Sequence, residues 1–559
     1  MQGKHKVGPL LVIGIVGFLT LCPVIMLILG SFSKGLTAVG EFTLEKYMQV
    51  YSDPSILEVL SNTAIFVMGS ALFSTVLALF LSYLNNRTDV PLRFLFRTLS
   101  VVPMMIPHIL FSVSWVLLLN PSNGVLNLWL KQLFSLPSAP LNIYTLPGMI
   151  LVEGLLDLPI AYLILAPAMA SFDVTLEESS RVCGATPGHT FFRITLPVLR
   201  PAILAAFTLC VIRCLASFAV PSVVGMPGRI YVFASHLYRL IATGFQADYG
   251  KAAALGVSVL LTSVILIYLY RRLTSASEKF VTIQGRGFKP SVIPLKKAKI
   301  PVFLFLLLLS VVLIVLPVLT LLYISLVPYS MVPSARAFSL LTSRHWVAVL
   351  KDPLSLVSLR NSVLLGVGGA TLGLVLSVFI SYILVRIKGK VSGILETLSF
   401  LSFSFPGIVI GVGFMWFFVR TPLYASLWAL LIGYISTYLP YGIRPLTSAF
   451  IQIHPHLEES SRVAGASFLT TLRRILLPLL IPALVSSWVL MATMFFRELT
   501  LSVVLSRPGS EVLAVQILRF SEDGLWGRLS ALGIIMIGIS TLLVVGVQLL
   551  GLWVRPKET

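Results

Sequence analysis

The chain has 559 residues, of which 57% are hydrophobic and 11% are charged, and its mean hydropathy is +0.96. This composition excludes a water-soluble globular domain and predicts an all-α transmembrane protein. The formal net charge of +20 would suggest a nucleic-acid partner in a soluble protein. Here the basic residues collect in short segments between apolar runs, which indicates cytoplasmic loops beside a lipid bilayer and no nucleic acid.

Apolar runs long enough to cross a bilayer, about 20 residues each, recur along the whole chain. The first follows Lys4, His5 and Lys6 and is longer than a signal-peptide core, so we expect a retained span that starts in the cytoplasm. An even number of spans places both termini in the cytoplasm of a multi-pass inner (plasma) membrane protein. The twelve predicted spans lie near residues 8–30, 59–84, 98–120, 146–170, 201–224, 252–271, 301–327, 359–385, 397–419, 427–449, 482–505 and 529–554.

The chain also contains an internal repeat. The segment "SNTAIFVMGSALFSTVLALFLSY" from Ser61 matches "RNSVLLGVGGATLGLVLSVFISY" from Arg360, which places Asn62 opposite Asn361. Six spans per copy insert both copies the same way up, so we predict two parallel repeats related by an axis along the membrane normal, as in transporters. The predicted units are a first module at 1–275, a basic cytoplasmic linker at 276–300 and a second module at 301–559.

The clearest repeat is a charged decapeptide in the loop after the fourth span of each half. It reads "LEESSRVCGA" from Leu176 and "LEESSRVAGA" from Leu457. The acidic residues suit a helix N-terminus, and the glycine permits a chain reversal before a second short amphipathic segment. A solvated loop explains the polarity of this stretch but not its identity in two copies. A partner with two equivalent surfaces explains both.

At these residues the chain resembles the membrane subunits of binding-protein-dependent ABC importers of the type I fold. That family carries E-A-A, then G, then I-x-L-P, and both copies fit the spacing, with serine in place of two alanines. The resemblance implies a MetI-like core, coupling loops at 177–197 and 458–478, and coupling helices at 177–190 and 458–471. The implied ATPase-coupling residues are Glu177, Glu178, Ser179, Ser180, Arg181, Gly184, Ala185, Glu458, Glu459, Ser460, Ser461, Arg462, Gly465 and Ala466.

The same resemblance implies the partners and the cargo. Two copies of a cytosolic ABC ATPase would bind ATP and magnesium, and a separate extracytoplasmic solute-binding protein would deliver the substrate. This chain would hold no cofactor and would not be an enzyme, since it has no G-x-x-x-x-G-K-[ST] phosphate loop. Two modules fused in one chain, together with residues 496–520, resemble the ferric-iron permeases. Thiamine, phosphonate and polyamine permeases are the alternatives within the class.

Ionisable and phenolic side chains inside the spans are candidates for the translocation pathway, because charge at membrane depth is costly. One hypothesis is structural: Arg213 pairs with an acid of the fourth span, and two charged residues of the eleventh span snorkel outward. The other is that oxygen ligands line a path for a hard cation, whereas an anionic cargo would favour the arginines. The candidate pathway residues are Glu153, Asp157, Arg213, Tyr434, Tyr438, Arg497 and Glu498.

Two other classes of protein remain as alternatives. An ion-coupled secondary carrier would also have twelve spans in two halves, but it has no need of matched cytoplasmic loops. A membrane enzyme would need convergent catalytic groups at one membrane face, and the sequence contains no such cluster. No metal site is predicted, because the cysteines lack metal-site spacing and are interpreted as packing residues, and His108 is interpreted as a satisfied or interfacial histidine. The cysteines are Cys22, Cys183, Cys210 and Cys214.

Overall fold

The computed structural model describes residues 4–34, 42–242, 247–277, 292–387, 389–401 and 405–554. All the regular secondary structure in this part of the chain is helical, and its only extended pairings are two isolated bridges. The helices of the first half are α1 Lys4–Ser31, α2 Glu45–Tyr51, α3 Ser55–Arg87, α4 Arg93–Leu99, α5 His108–Leu119, α6 Val125–Leu133, α7 Leu146–Ala170, α8 Val174–Val182, α9 Pro187–Thr190, α10 Leu196–Ala216, α11 Phe233–Ala242 and α12 Tyr249–Ser277.

The second half repeats this order with small differences. Its helices are α13 Lys299–Ser310, α14 Leu316–Leu326, α15 Ala335–Ser339, α16 Arg344–Lys351, α17 Pro353–Val363, α18 Ala370–Arg386, α19 Lys390–Leu401, α20 Gly407–Phe418, α21 Leu427–Gln452, α22 His456–Val463, α23 Phe468–Thr471, α24 Leu477–Phe496, α25 Ser502–Leu505, α26 Leu513–Glu522 and α27 Trp526–Val554. Short π-helical turns join α9 to α10, α13 to α14, α17 to α18 and α23 to α24.

Within the described residues, nine helices are long and apolar enough to cross a membrane, and one bent pair would make ten. The predicted ninth and tenth spans are helical as well. However, α20 is too short to count alone, and α21, which contains Pro440, Pro445 and Arg444, is not among the nine. The all-α transmembrane prediction is confirmed, and the count of twelve stays a prediction.

Two predicted spans are not straight rods. The third, expected at 98–120, consists of Arg93–Met105 and His108–Leu119, which meet at 98°. The ninth is likewise interrupted before Gly407. The cause is a proline at each break, Pro107 and Pro406, because proline lacks an N–H and forces the preceding residue out of the helical region.

The fifth and eleventh spans begin and end earlier than the sequence indicates. They run as continuous helices over Gly188–Ala216 and Phe468–Phe496, so the second amphipathic segment of each coupling loop is the first part of the span itself. The chain beyond each span then forms a short amphipathic helix, α11 or α26, which the sequence analysis does not predict. By the predicted topology, both helices lie toward the outer side of the membrane.

The first span of each half packs against the other half as well as against its own. Helix α1 packs along α20, and α14 packs against α5. The contacts include the rings of Phe18 and Phe417, with centroids 5.4 Å apart, and the Ser436 hydroxyl, which donates to the Leu19 carbonyl at 2.6 Å. The two modules are therefore interlocked rather than placed side by side.

The end of the linker is fastened to the first half, while residues 278–291 lie outside the described part of the chain. The Ile293 amide donates to the Arg87 carbonyl at 2.8 Å. Asp89 accepts a hydrogen bond from the Leu295 amide at 2.8 Å and pairs with Lys299 at 3.2 Å. The backbone hydrogen bond from Leu295, aided by Lys299, lowers the pKa of Asp89 below its ordinary value.

Candidate coupling loops and buried polar clusters

Both decapeptides form a short helix that ends in a glycine reversal. Helices α8 and α22 end at Val182 and Val463, and the glycines that follow, Gly184 and Gly465, have φ of 84° and 81°. The Ala185 amide donates to the carbonyl five residues back at 3.1 Å, and Ala466 does the same at 3.0 Å. This is the Schellman arrangement, in which glycine avoids the strain that a Cβ would suffer at positive φ.

One face of each helix is open to solvent. The side chains of Val182 and Val463 are 88% and 89% exposed, which is unusual for apolar residues on a helix that also packs on protein. The other exposed residues of this face are Leu176, Glu178, Ser179 and Arg181 in the first half, and Leu457, Glu459, Ser460 and Arg462 in the second. The two halves thus present the same mixed apolar and charged surface twice.

The opposite face of each helix is buried and carries the remaining glutamate. Glu177 forms an ion pair with Arg87, and both side chains are almost completely buried. In the second half, Arg386 Nε lies 2.6 Å from Glu458 Oε1. Glu177 and Glu458 therefore face the permease itself. The decapeptide pattern identifies both glutamates as polar but does not reveal which of the adjacent pair points inward.

The second serine of each motif forms a hydrogen bond across the chain reversal. The hydroxyls of Ser180 and Thr190 lie 2.9 Å apart, and those of Ser461 and Thr471 lie 2.8 Å apart. Each pair joins the coupling helix to the first turn of the following span. The second of the two serines that replace alanine in each copy consequently has a local structural role.

A buried polar cluster lies between the fourth and fifth spans of the first half. Arg213 Nε donates to Asp157 at 2.9 Å, and the Ser217 hydroxyl donates to Glu153 at 2.7 Å. The sulfur of Cys214 lies 3.3 Å from Asp157. A carboxylate oxygen of Glu153, a carboxylate oxygen of Asp157 and the Cys214 sulfur all lie within 4.8 Å of one another. Asp157 and Arg213 form the ion pair of the structural hypothesis. The sequence does not predict the grouping with Cys214, which lies on a different span from both acids.

The second half places a different polar cluster at the equivalent level. The Tyr438 hydroxyl donates to Glu498, whose other oxygen accepts from the Leu501 amide at 2.7 Å. Tyr434 and Ser502 share a hydrogen bond of 2.5 Å. All four side chains are wholly or largely buried, so Glu498 does not snorkel outward.

Arg497 does not extend outward either. Its Nη1 donates to the carbonyl of Met104 in the first half at 2.6 Å, so the side chain crosses to the bend of the third span. His108, at the same bend, lies within electrostatic reach of Arg497 and Arg213. The candidate pathway residues therefore form two clusters, one per half, with two arginines near the boundary between them.

A cavity of about 370 Å³ opens between the halves, toward the outer side of the membrane by the predicted topology. Helix α11 contributes Tyr238, whose hydroxyl lies 3.4 Å from Glu522 of α26. Arg519, also on α26, pairs with Glu511 at 3.0 Å. Because each half supplies one outer helix to its wall, the shape of this cavity depends on how the halves sit against each other.

A duplicated helical core with matched loops on one side of the membrane defines a transport permease with two modules. The sequence pattern of the family "Binding-protein-dependent transport system inner membrane component" matches residues 71–279 and 369–557. The chain belongs to this family and carries its module twice. It is therefore a multi-pass inner-membrane transport component that works with a binding protein.

Three relatives show how far the similarity extends. The ferric transport system permease protein FbpB of Actinobacillus pleuropneumoniae is 29% identical over 556 residues, covering 96% of this chain and 77% of the relative. A putative ferric transport system permease protein, FbpB 1 of Haemophilus influenzae, is 29% identical over 518 residues, or 89% of this chain and 77% of its own length. The spermidine/putrescine permease PotC of H. influenzae is 33% identical over 167 residues, covering 30% of this chain and 63% of PotC.

Proposed function

We propose that this chain is a membrane-spanning permease subunit of an ATP-driven importer for ferric iron. Two copies of a cytosolic ATPase subunit, which hold the ATP and magnesium, would dock on the two coupling loops. A solute-binding protein would deliver iron at the opposite side, and both chain termini would lie in the cytoplasm. The single observation that carries the proposal is the pair of matched, solvent-open coupling faces.

The chemistry of those faces suits two identical protein partners. Val182 and Val463 are apolar side chains with almost no contact in the chain itself, and each is flanked by an exposed acid and an exposed arginine. Apolar centres with a charged rim are typical of protein interfaces. Two copies of one ATPase would meet the same surface in each half.

ATP would act by changing the relative populations of two packings of the span bundle. Closure of the ATPase pair would draw the two coupling helices together, and the spans would convert from an inward-open to an outward-open arrangement. Rigid-body movement of interlocked halves is a common form of such transitions. The outer cavity would then receive the cargo, and ATP hydrolysis would return the bundle to its inward-open state.

Two observations support ferric iron as the cargo. Two relatives that match most of this chain are named ferric transport permeases, and the buried clusters contain oxygen donors. Glu153, Asp157 and Glu498 offer carboxylates, Tyr434 and Tyr438 offer phenolic oxygens, and hard cations prefer oxygen ligands. Since Asp157 is already paired with Arg213, the site would hold a passing cation weakly, which suits a channel that must release its cargo.

The docking proposal is tested by Val182→Glu combined with Val463→Glu. Both positions are exposed, so the protein should fold normally, yet each change places a charge at the centre of the proposed interface. We expect the wild type purified from native membranes to retain a protein with a phosphate-loop ATPase domain and to hydrolyse ATP, and the double variant to lose both. Val347→Glu, a similar change beyond the opposite ends of the spans, is the control. Equal ATPase retention by wild type and double variant would contradict the docking site.

The cargo proposal is tested by uptake of radioactive iron into cells that carry or lack the chain. We expect uptake to depend on the chain and to fall at least tenfold in Glu153→Gln, with protein abundance unchanged. Spermidine uptake measured in parallel addresses the polyamine alternative. If spermidine uptake depends on the chain and iron uptake does not, the iron assignment is wrong while the importer assignment stands.

A further inference from the structure

The second span of each half is tied to functional regions at both of its ends. In the first half this span is α3, Ser55–Arg87, and in the second it is the helix Pro353–Arg386. At the cytoplasmic end the last residue of each, Arg87 or Arg386, binds the buried glutamate of the coupling helix. The two arginines occupy the same position in the repeat.

We call the ion pair between the second span and the coupling helix, Arg87 with Glu177 or Arg386 with Glu458, the cytoplasmic joint. This joint should stay intact during movement. Arg87 and Glu177 are only 1% and 3% exposed as side chains, and separating such a pair would leave a buried charge without a partner. Glu177 also accepts from Thr195 at 2.7 Å. In the second half, Arg386 donates additionally to the Ile453 carbonyl at 2.8 Å. A displaced coupling helix must therefore pull the second span with it.

The outer end of each second span holds the short outer helix through the same kind of contact. In the first half, the Phe233 amide at the start of α11 donates to Thr63 Oγ1 at 2.9 Å. In the second half, the Leu513 amide at the start of α26 donates to Ser362 Oγ at 2.8 Å. Thr63 and Ser362 are adjacent to Asn62 and Asn361, which the repeat also aligns.

The asparagines reinforce this outer joint. Asn361 Nδ2 donates to the carbonyls of Gly509 and Glu511 at 3.1 and 2.9 Å, and Asn62 Nδ2 lies 3.5 Å from the Tyr231 carbonyl. In both halves the acceptors belong to the segment that leads into the outer helix. The Asn-Thr/Ser pair thus holds the helix and its approach together.

Helices α11 and α26 both line the outer cavity. From Thr63 to Arg87 the helix extends for about 36 Å at 1.5 Å per residue, and it packs along α7 and α10. We infer that the two second spans act as transmission rods. When a coupling helix moves, the second span attached to it moves as well and shifts the outer helix that lines the outer cavity. In this arrangement Arg87, Arg386, Thr63 and Ser362 are positioning residues rather than residues that touch the cargo.

The inference rests on the proposed function, and its test uses the full complex of permease, ATPase and binding protein in proteoliposomes. The outer joints are weakened by Thr63→Val with Ser362→Ala, which remove hydroxyls with little change in shape. The matched control is Thr75→Val with Ser70→Ala, because these hydroxyls on α3 are buried without a hydrogen-bond partner. None of these positions belongs to the ATPase docking face.

We expect the outer-joint variant to bind the ATPase normally and to keep its basal ATP hydrolysis. Its stimulation by the loaded binding protein, and the amount of cargo moved per ATP, should fall by about tenfold, while the control variant resembles the wild type. Spin labels at Ala242→Cys and Asp523→Cys, in a background without native cysteines, should report an ATP-dependent change in distance. That change should be lost in the outer-joint variant and retained in the control variant.

Variants of the cytoplasmic joint test the same inference independently. Glu177→Gln should uncouple ATP hydrolysis from transport in the same way, and the exchanged pair Arg87→Glu with Glu177→Arg should restore part of the coupling. If the variants of either joint bind the ATPase and move as much cargo per ATP hydrolysed as the wild type does, the inference that the second spans are transmission rods is refuted. If no ATPase binds the wild type, the proposed function itself has failed, and the two failures are thereby distinguished.

Discussion

Gly184→Ala isolates the role of the glycine reversal in the coupling loop. An added Cβ at this position would meet no atom within 4 Å, so the only penalty comes from the backbone, whose φ is 84°. A non-glycine residue in the left-handed region costs about 1–2 kcal/mol. If that cost lowers the fraction of loops in the docking conformation, the affinity for the ATPase falls by about five- to thirty-fold.

The assay is a titration of purified permease with the ATPase subunit, and the chain supplies its own controls. Gly188→Ala also meets no atom within 4 Å, but that residue is helical, so alanine should preserve or improve binding. Asparagine tolerates positive φ better than alanine, so Gly184→Asn should lie between the wild type and Gly184→Ala. Equal binding by Gly184→Ala and Gly188→Ala would refute the reasoning.

Two further predictions concern the interlocked halves and the linker. At Gly413, an added Cβ would collide with the carbonyl of Pro23, so Gly413→Ala should destabilise the protein by about 1–3 kcal/mol; thermal unfolding measures this, with Gly538→Ala, which meets no atom, as the neutral control. The pKa of Asp89 is lowered in the folded protein. Its contacts with Leu295 and Lys299 should therefore hold at pH values above about 4 and loosen as the pH falls through the lowered pKa. Hydrogen exchange at the Leu295 amide, corrected for its intrinsic rate, should show this loosening in the wild type. Asp89→Ala, which removes the acceptor oxygen, should show fast exchange at every pH.

The sequence predicts the features that arise from repetition and hydropathy. The helical class, the duplicated module and the glycine reversal all follow from patterns along one chain, because bilayer thickness and backbone sterics act locally. The broken third span was predicted as continuous, although Pro107 supplies the signal for a break. Proline is tolerated in many membrane helices, so its presence alone does not distinguish a kink from a bend of 98°.

The inward direction of Glu177 and Glu458 was beyond the reach of sequence analysis for a different reason. Two adjacent glutamates on a short helix point about 100° apart, and nothing local decides which one is buried. The choice is made by Arg87 and Arg386, which lie 90 and 72 residues away along the chain. The matched identity of the decapeptides therefore has two sources, an outward face open to a partner and an inward face fixed by an ion pair.

The interlocking of the halves sets an order of events during synthesis. Helix α1 is complete at Ser31, but its partner α20 begins only at Gly407. At about 5–20 residues per second, one side of α1 must wait in the bilayer for roughly 20–75 seconds with lipid in place of protein. The second module thus completes the folding of the first, and a chain that stops before α20 leaves its opening helix without the groove in which it belongs.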